Sequence, residues 1–144
     1  MKISTKGRYA LCMLLDLAEH QNDGFIALKD IAERQAISKK YLEQIVPILN
    51  KSNILRTNRG FQGGYRLAKS PAQYTVGEIL RLTETNLSTS AVASGTILCE
   101  RSSEAALLPV WQGLHRAVND YLDGITLQDI LDRQKEQYMN DYVI

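Results

Sequence analysis

Apolar residues recur at helical spacing near the start of the chain. Leu11, Leu14, Leu15, Leu17 and Ala18 make one stripe, with Ser4 or Thr5 ahead of it as a cap. The polar run Gln21-Asn22-Asp23-Gly24 ends that helix, and Phe25-Ile26-Ala27 leaves room only for a short strand. Leu28, Ile31 and Ala32 set the inner face of a second helix over 28–34. Gln35-Ala36-Ile37 is a tight connection, after which Ser38 caps a third helix reaching about Lys51. Two short helices joined by so tight a turn form a helix-turn-helix unit. Pro47 lies well inside the third helix and is expected to kink or loosen it.

Residues 54–57 and 65–67 read as two strands of a hairpin. Gly60, Gly63 and Gly64 in its connection permit tight turns and a close approach to phosphate. Beyond Ser70-Pro71, Thr75-Val76-Gly77-Glu78 opens a short helix with Val76, Ile79, Leu80 and Leu82 facing inward. Residues 85–103 are rich in Ser and Thr and weakly periodic, which predicts a loop. From about Ser103 to Leu122 a longer helix carries Leu107, Val110, Trp111, Leu114, Val118, Tyr121 and Leu122 on one side; Pro109 offers an alternative start. That stripe is wider than a small domain needs. Thr126-Leu127-Gln128-Asp129 is a capping box opening a last helix to about Glu136, and Tyr138 to Ile144 form an aromatic and apolar tail.

Charge sharpens this picture. Twelve of the seventeen Lys and Arg residues fall in the first seventy positions, beside six of the sixteen Asp and Glu, although the whole chain carries a formal charge of only +1. A basic half of this kind points to a polyanion, and the order of capped basic helix and glycine-rich hairpin points to duplex DNA. The length suits one domain, or a small domain with an oligomerisation arm. No apolar run is long enough to span a membrane. The N-terminus reads as a mature cytoplasmic start, since it lacks a small-residue cleavage site. No nucleophile–base pair, paired-acid motif or phosphate loop stands out, so an enzyme is not expected.

The second helix of a helix-turn-helix points its first residues into the major groove. Here those are Ser38, Lys39, Lys40, Tyr41 and Gln44. Ser38 and the helix N-terminus can donate to a phosphate, the two lysines supply charge, and the Gln44 amide can pair with adenine N6 and N7. Glu43 is the odd member, repelled by phosphates unless it accepts from cytosine N4. Arg59 at the wing tip is expected in a minor groove or on phosphates, flanked by Arg56 and Arg66, with Gly60, Gly63, Gly64 and Tyr65 forming the wing around it. Lys6 and Arg8 are candidate phosphate clamps. The alternative is that Lys39 and Lys40 form an ordinary solvated helix face.

Several of these stretches occur together in one order: Lys2 to Ala10, Tyr41-Leu42-Glu43-Gln44, Arg59-Gly60 with Gly63-Gly64-Tyr65, Gly77-Glu78-Ile79, Trp111 and Ile125-Thr126-Leu127. In this the chain resembles the Rrf-type bacterial regulators, and among them the cysteine-metabolism repressors of the CymR type. The resemblance spans nearly the whole chain. It implies a homodimer with crossed long helices on a pseudo-palindromic operator, with Leu107, Trp111, Leu114, Val118, Tyr121 and Leu122 at the dimer contact. Cluster-binding members of the family carry three cysteines spaced C-x5-C-x5-C before the long helix. This chain has only Cys99 there, with Ala93 and Ala105 at the other two positions and Leu108 where a histidine ligand is found. Iron–sulfur clusters need thiolates, so no cofactor and no metal are expected. Cys99 remains a candidate redox residue, while Cys12 reads as core packing; His20 and His115 are isolated.

The end, Asp141-Tyr142-Val143-Ile144, sets an aromatic and two branched apolar groups before the terminal carboxylate, which suits capture of a C-terminus in a pocket. It is similar to the Ile-terminated tails with which serine acetyltransferases enter O-acetylserine sulfhydrylase, the cysteine synthase. CymR-type regulators carry such a tail and use that enzyme as corepressor. The resemblance thus implies that Tyr142, Val143 and Ile144 bind this partner; packing of the tail on a second subunit is the alternative.

The expected fold is mainly α with a small β-wing. A winged helix-turn-helix domain covers 1–84, a sensor-position loop 85–102, and a long dimerisation helix, short helix and tail 103–144. The expected function is a cytoplasmic, dimeric DNA-binding regulator of cysteine metabolism, more repressor than activator. Two rivals stay open: a direct sensor using Cys99 or a small ligand near 85–108, and a protein-interaction adaptor that no longer reads DNA.

Overall fold

The computed structural model describes residues 2–85, 87 and 100–142. Its element order is α1 (Thr5–Glu19), α2 (Leu28–Gln35), α3 (Lys39–Lys51), β1 (Leu55–Asn58), β2 (Gly64–Leu67), a single 3-10 turn (Pro71–Gln73), α4 (Val76–Thr83), α5 (Ser102–Asp123) and α6 (Leu127–Tyr142). The fold is therefore mainly helical with one two-stranded antiparallel wing.

Hydroxyl caps set most helix starts. The Ser4 Oγ accepts from the Gly7 amide at 3.1 Å, Ser38 from Tyr41 at 3.3 Å and Thr75 from Glu78 at 3.1 Å. At α6 the capping box is reciprocal: the Asp129 amide donates to Thr126 Oγ1 at 3.1 Å, and the Thr126 amide donates to Asp129 Oδ2 at 2.9 Å. Each cap satisfies amides that an isolated helix end would leave to water, at about 1 kcal/mol apiece.

The core is the packed meeting of α1, α2, α3 and α6 over the wing's base. Met13, Leu14, Ile31, Leu42, Ile45, Leu49, Ile79 and Leu127 are wholly buried in it. One charge enters: Asp16 is 1% exposed, and its carboxylate accepts from Arg34 Nε at 3.0 Å, Arg34 Nη2 at 2.7 Å and Gln35 Nε2 at 3.0 Å. The carboxylate in turn holds the Arg34 guanidinium pKa above its usual value, chiefly through that hydrogen bond. This brace ties α1 to the end of α2 and so fixes the platform on which α3 rests. A smaller cluster of Val76, Leu80 and Leu87 takes in Ile3, Leu122 and Ile125.

Some expectations need correction. Pro109 does not start α5, which begins at Ser102 and has the Ala105 amide bonded to the Arg101 carbonyl at 3.0 Å ahead of the proline. Proline removes one donor but its fixed φ is helical, so the helix passes through it; α3 likewise continues past Pro47. The last helix does not stop near Glu136. It runs to Tyr142, because residues 135–139 contain good helix formers and no Gly or Pro to end it. The aromatic tail is thus largely helix; Val143 and Ile144 lie outside the described residues. The expected strand at 25–27 reduces to one bridge, Ile26 opposite Tyr65. Most of the expected loop, including Ala93 and Cys99, also lies outside the described residues.

Candidate nucleic-acid interface

The exposed start of α3 and the wing open onto one cleft. It has a volume of about 420 Å³ and is lined by Lys29, Lys39, Asn50, Thr57, Arg59, Gly60, Gly63, Gly64 and Tyr65, among others. Sequence reading placed Lys39, Arg59, Tyr65 and the three glycines in the interface, and folding brings them together here. It missed Lys29 in the first turn of α2, and Asn50 and Thr57. Lys29 carried a legible signal, since it stands between inward Leu28 and Ile31 in the first turn of the helix-turn-helix unit and so must face outward. The Asn50–Thr57 contact, with the Thr57 hydroxyl donating to Asn50 Oδ1 at 3.3 Å, depends on the hairpin folding back on α3.

The helix front is well presented. Ser38, Lys39, Lys40, Glu43 and Gln44 are exposed, while Leu42, Ile45, Val46 and Leu49 bury the opposite face. Lys39 Nζ stands 4.0 Å from Glu43 Oε1, an exposed i,i+4 pair that solvent screens and a phosphate can displace. Among the described residues, Lys40, Arg56 and Arg59 enter no ion pair. Tyr41 differs from its neighbours. Its ring is half-buried and meets Tyr9 edge to face, with centroids 5.3 Å apart and planes at 76°. This contact sets the start of α1, with exposed Arg8 and half-buried Lys6, beside the front of α3. The Tyr41 ring is therefore a strut between two helices more than a free reading residue.

The wing's glycines divide by role. Gly60 has φ +123° and open space around it. A Cβ on Gly64 would lie 2.3 Å from the Ile26 carbonyl oxygen, and one on Gly63 2.5 Å from that of Asn58. The close approach served by Gly63 and Gly64 is thus to the protein's own backbone, not to phosphate. Gly64 lets β2 lie against Ile26, whose amide donates to the Tyr65 carbonyl while the Tyr65 amide donates back, both at 2.8 Å. At the hairpin base Arg56 faces Arg66 in register, and the Arg66 guanidinium sits 5.0 Å from the Phe25 ring centre. That cation–π contact anchors one of the two like charges.

A second surface lies on α5. None of its 22 residues is buried, and Leu107, Val110, Trp111, Leu114 and Tyr121 are all exposed by 37% or more. Of the expected contact residues, Val118 is half-buried and Leu122 packs within its own chain against the Val76–Leu80 cluster. Arg81 pins the helix's far end: its Nη1 and Nη2 donate to Asp123 at 2.7 and 2.8 Å, and Nη2 also to Asn119 at 2.7 Å. This fork pushes the Asp123 carboxyl below its ordinary range.

No group of three or more His, Cys, Asp and Glu side chains able to hold a metal occurs among the described residues. At the positions where the family resemblance would place cluster ligands, Ala105 and Leu108 offer no donor atom. The described donor set does not fit an iron–sulfur cluster.

Comparison with known proteins agrees with this arrangement. Residues 3–133 match the model of the Rrf2 family, described as iron-dependent transcriptional regulators. CymR of Bacillus subtilis (strain 168) is 37% identical over 142 residues, 96% of this chain and 98% of that protein. IscR of Aliivibrio salmonicida is 33% identical over 141 residues, covering 98% of this chain and 83% of that protein. The solved structure of B. subtilis CymR, titled the global cysteine regulator, superposes with a TM-score of 0.79 at 34% identity, over 92% of this chain and 98% of the other. That of T. potens IscR gives 0.76 at 37% identity, over 95% and 90%. The chain belongs to the Rrf2 family of transcriptional regulators.

Proposed function

We propose that this regulator binds a pseudo-palindromic operator as a homodimer, reading each half-site with α3 in the major groove and the wing in the adjacent minor groove. The observation that carries the reading is the single cleft onto which Lys39 and Lys29 on one side and Arg59 on the other open. Lys40, Arg56, Lys6 and Arg8 add phosphate contacts, and Gln44 and Ser38 contact base edges and backbone. Under this reading 1–84 is the DNA-binding part, 85–102 the sensor-position loop, and 103–144 the dimerisation and tail part. The unburied apolar face of α5 supports the dimer, because a soluble chain rarely leaves so continuous a patch in water.

The test is a titration of fluorescent duplex, selected by this protein from a randomised pool, over a series of salt concentrations. Counterion release predicts a steep fall in affinity with salt. An adaptor that does not read DNA would show little binding at any salt.

We further propose that the signal is cysteine supply, relayed without a cluster by O-acetylserine sulfhydrylase acting as corepressor. Two things support this: the chain's similarity to a regulator named the global cysteine regulator, and the stretch Tyr142-Val143-Ile144, an aromatic residue followed by two branched apolar ones. Tyr142 is 88% exposed at the end of α6 and thus free to enter a pocket. Pull-down of the enzyme by the full chain, lost on removal of Ile144, is the expected result. Equal retention or no binding by both forms would remove the tail's role and turn attention to Cys99.

A further inference from the structure

Phe61 is 99% exposed at the tip of the wing, and nothing in the fold accounts for it there. A hydrogen-bonded turn presents it. The Gly63 amide donates to the Gly60 carbonyl at 2.9 Å, closing a four-residue turn with Phe61 and Gln62 at its centre. Gln62 adopts a left-handed φ of +66° and Gly60 a φ of +123°, so two uncommon backbone conformations hold the ring outward. The basic Arg59 stands two residues before it, also exposed. An apolar ring fully in water at the tip of a basic hairpin fits a surface with negative rims and apolar walls. The minor groove of duplex DNA is such a surface, with phosphates at its edge and deoxyribose carbons along its sides.

We propose that Phe61 enters the minor groove beside Arg59 as an apolar wedge against the sugars and the base step beneath. This rests on the DNA-binding reading above. Arg59 supplies the electrostatic part of wing binding, and Phe61 a part insensitive to salt. The two side chains therefore separate in one experiment. Operator duplex selected from a randomised pool is titrated with full-length wild type, Phe61→Ala, Phe61→Leu and Arg59→Ala over a salt series. Minor-groove protection under the wing is followed by hydroxyl-radical cleavage.

Phe61→Ala is expected to bind about ten- to a hundredfold more weakly, with the salt slope unchanged and protection under the wing lost. Phe61→Leu should recover most of the affinity. Arg59→Ala should lower the slope by about one. The ring is almost wholly exposed, so these variants should fold as wild type does. A Phe61→Ala protein that binds within about twofold of wild type, or whose salt slope shifts as that of Arg59→Ala does, overturns the wedge. Wild type that binds no duplex at any salt overturns instead the DNA-binding reading on which it stands.

Discussion

Substituting Gly64 with alanine tests how the wing is held to the body. The new Cβ would lie 2.3 Å from the Ile26 carbonyl oxygen, 2.4 Å from its carbon and 2.9 Å from the Ala27 nitrogen. Ordinary contact begins near 3.4 Å, so one backbone must withdraw by about 1 Å. No flexible side chain is there to yield. The movement falls on the two 2.8 Å hydrogen bonds that join Ile26 and Tyr65. Each is worth about 1 kcal/mol net, and displacing buried Ile26 adds about 1–2 kcal/mol of lost packing. The expected loss is about 3–4 kcal/mol, a large share of the roughly 5–15 kcal/mol typical of a domain. Urea denaturation reads the total, and amide exchange at Ile26 and Tyr65 shows whether the wing is where it is lost. Gly60→Ala is the matched control. At φ +123° with open space, it should cost about 1–3 kcal/mol in backbone strain and leave those two amides protected. A Gly64→Ala protein within about 0.5 kcal/mol of wild type, with unchanged exchange, would refute the argument.

Three further outcomes are expected. Asp16→Ala leaves Arg34 and Gln35 without their acceptor and opens a gap beside α1; since Arg34 is 37% exposed and can rehydrate, the cost should be about 2–3 kcal/mol in a denaturation titration. Trp111→Ala with Leu114→Ala should raise the dimer dissociation constant by a hundredfold or more, about 2.7 kcal/mol, in sedimentation at micromolar protein, with the monomer's circular dichroism unchanged because neither residue is buried in its own chain. The Asp129 carboxyl is held below its ordinary value chiefly by the Thr126 amide, and Asp123 by Arg81. Both contributions are fully present above about pH 4 and are lost as pH falls through the depressed folded values, so Asp129→Asn and Asp123→Asn should flatten the acid limb of thermal stability, and an unaltered limb would count against these contacts.

Much of the architecture was legible because it is written at short range. Ser4, Ser38, Thr75 and Thr126 cap helices three residues ahead, and apolar stripes at helical spacing mark the faces that bury. The wing was legible from two short runs around three glycines, and the basic half from charge alone. The long helix starts one residue from the expected Ser103, and only the alternative start at Pro109 fails, because the helix has already formed there. The same local grammar misled at Glu136, where the aromatic residues beyond suggested a tail although no breaker intervened.

Other features came only from packing between distant positions. The Ser4 amide and hydroxyl both donate to Glu84 Oε1, at 3.0 and 2.7 Å, so the start of α1 is closed by a carboxylate eighty residues away. Tyr41, read as facing DNA, turned to meet Tyr9, and Gly64, read as facing phosphate, turned to meet Ile26. Asp16 sits among apolar neighbours in the sequence and gave no hint of Arg34 as its partner.

By itself, then, the sequence determined most of the elements, their caps, the basic charge of the first seventy residues and the apolar excess on α5. These depend on residues a turn or a strand apart, whose spacing is fixed by backbone geometry. The tertiary structure decided which of the exposed groups share one cleft, which glycines serve the protein's own backbone, and which aromatic rings are struts and which stand free. Those outcomes depend on contacts between segments far apart in the chain, and only the packed core sets their distances.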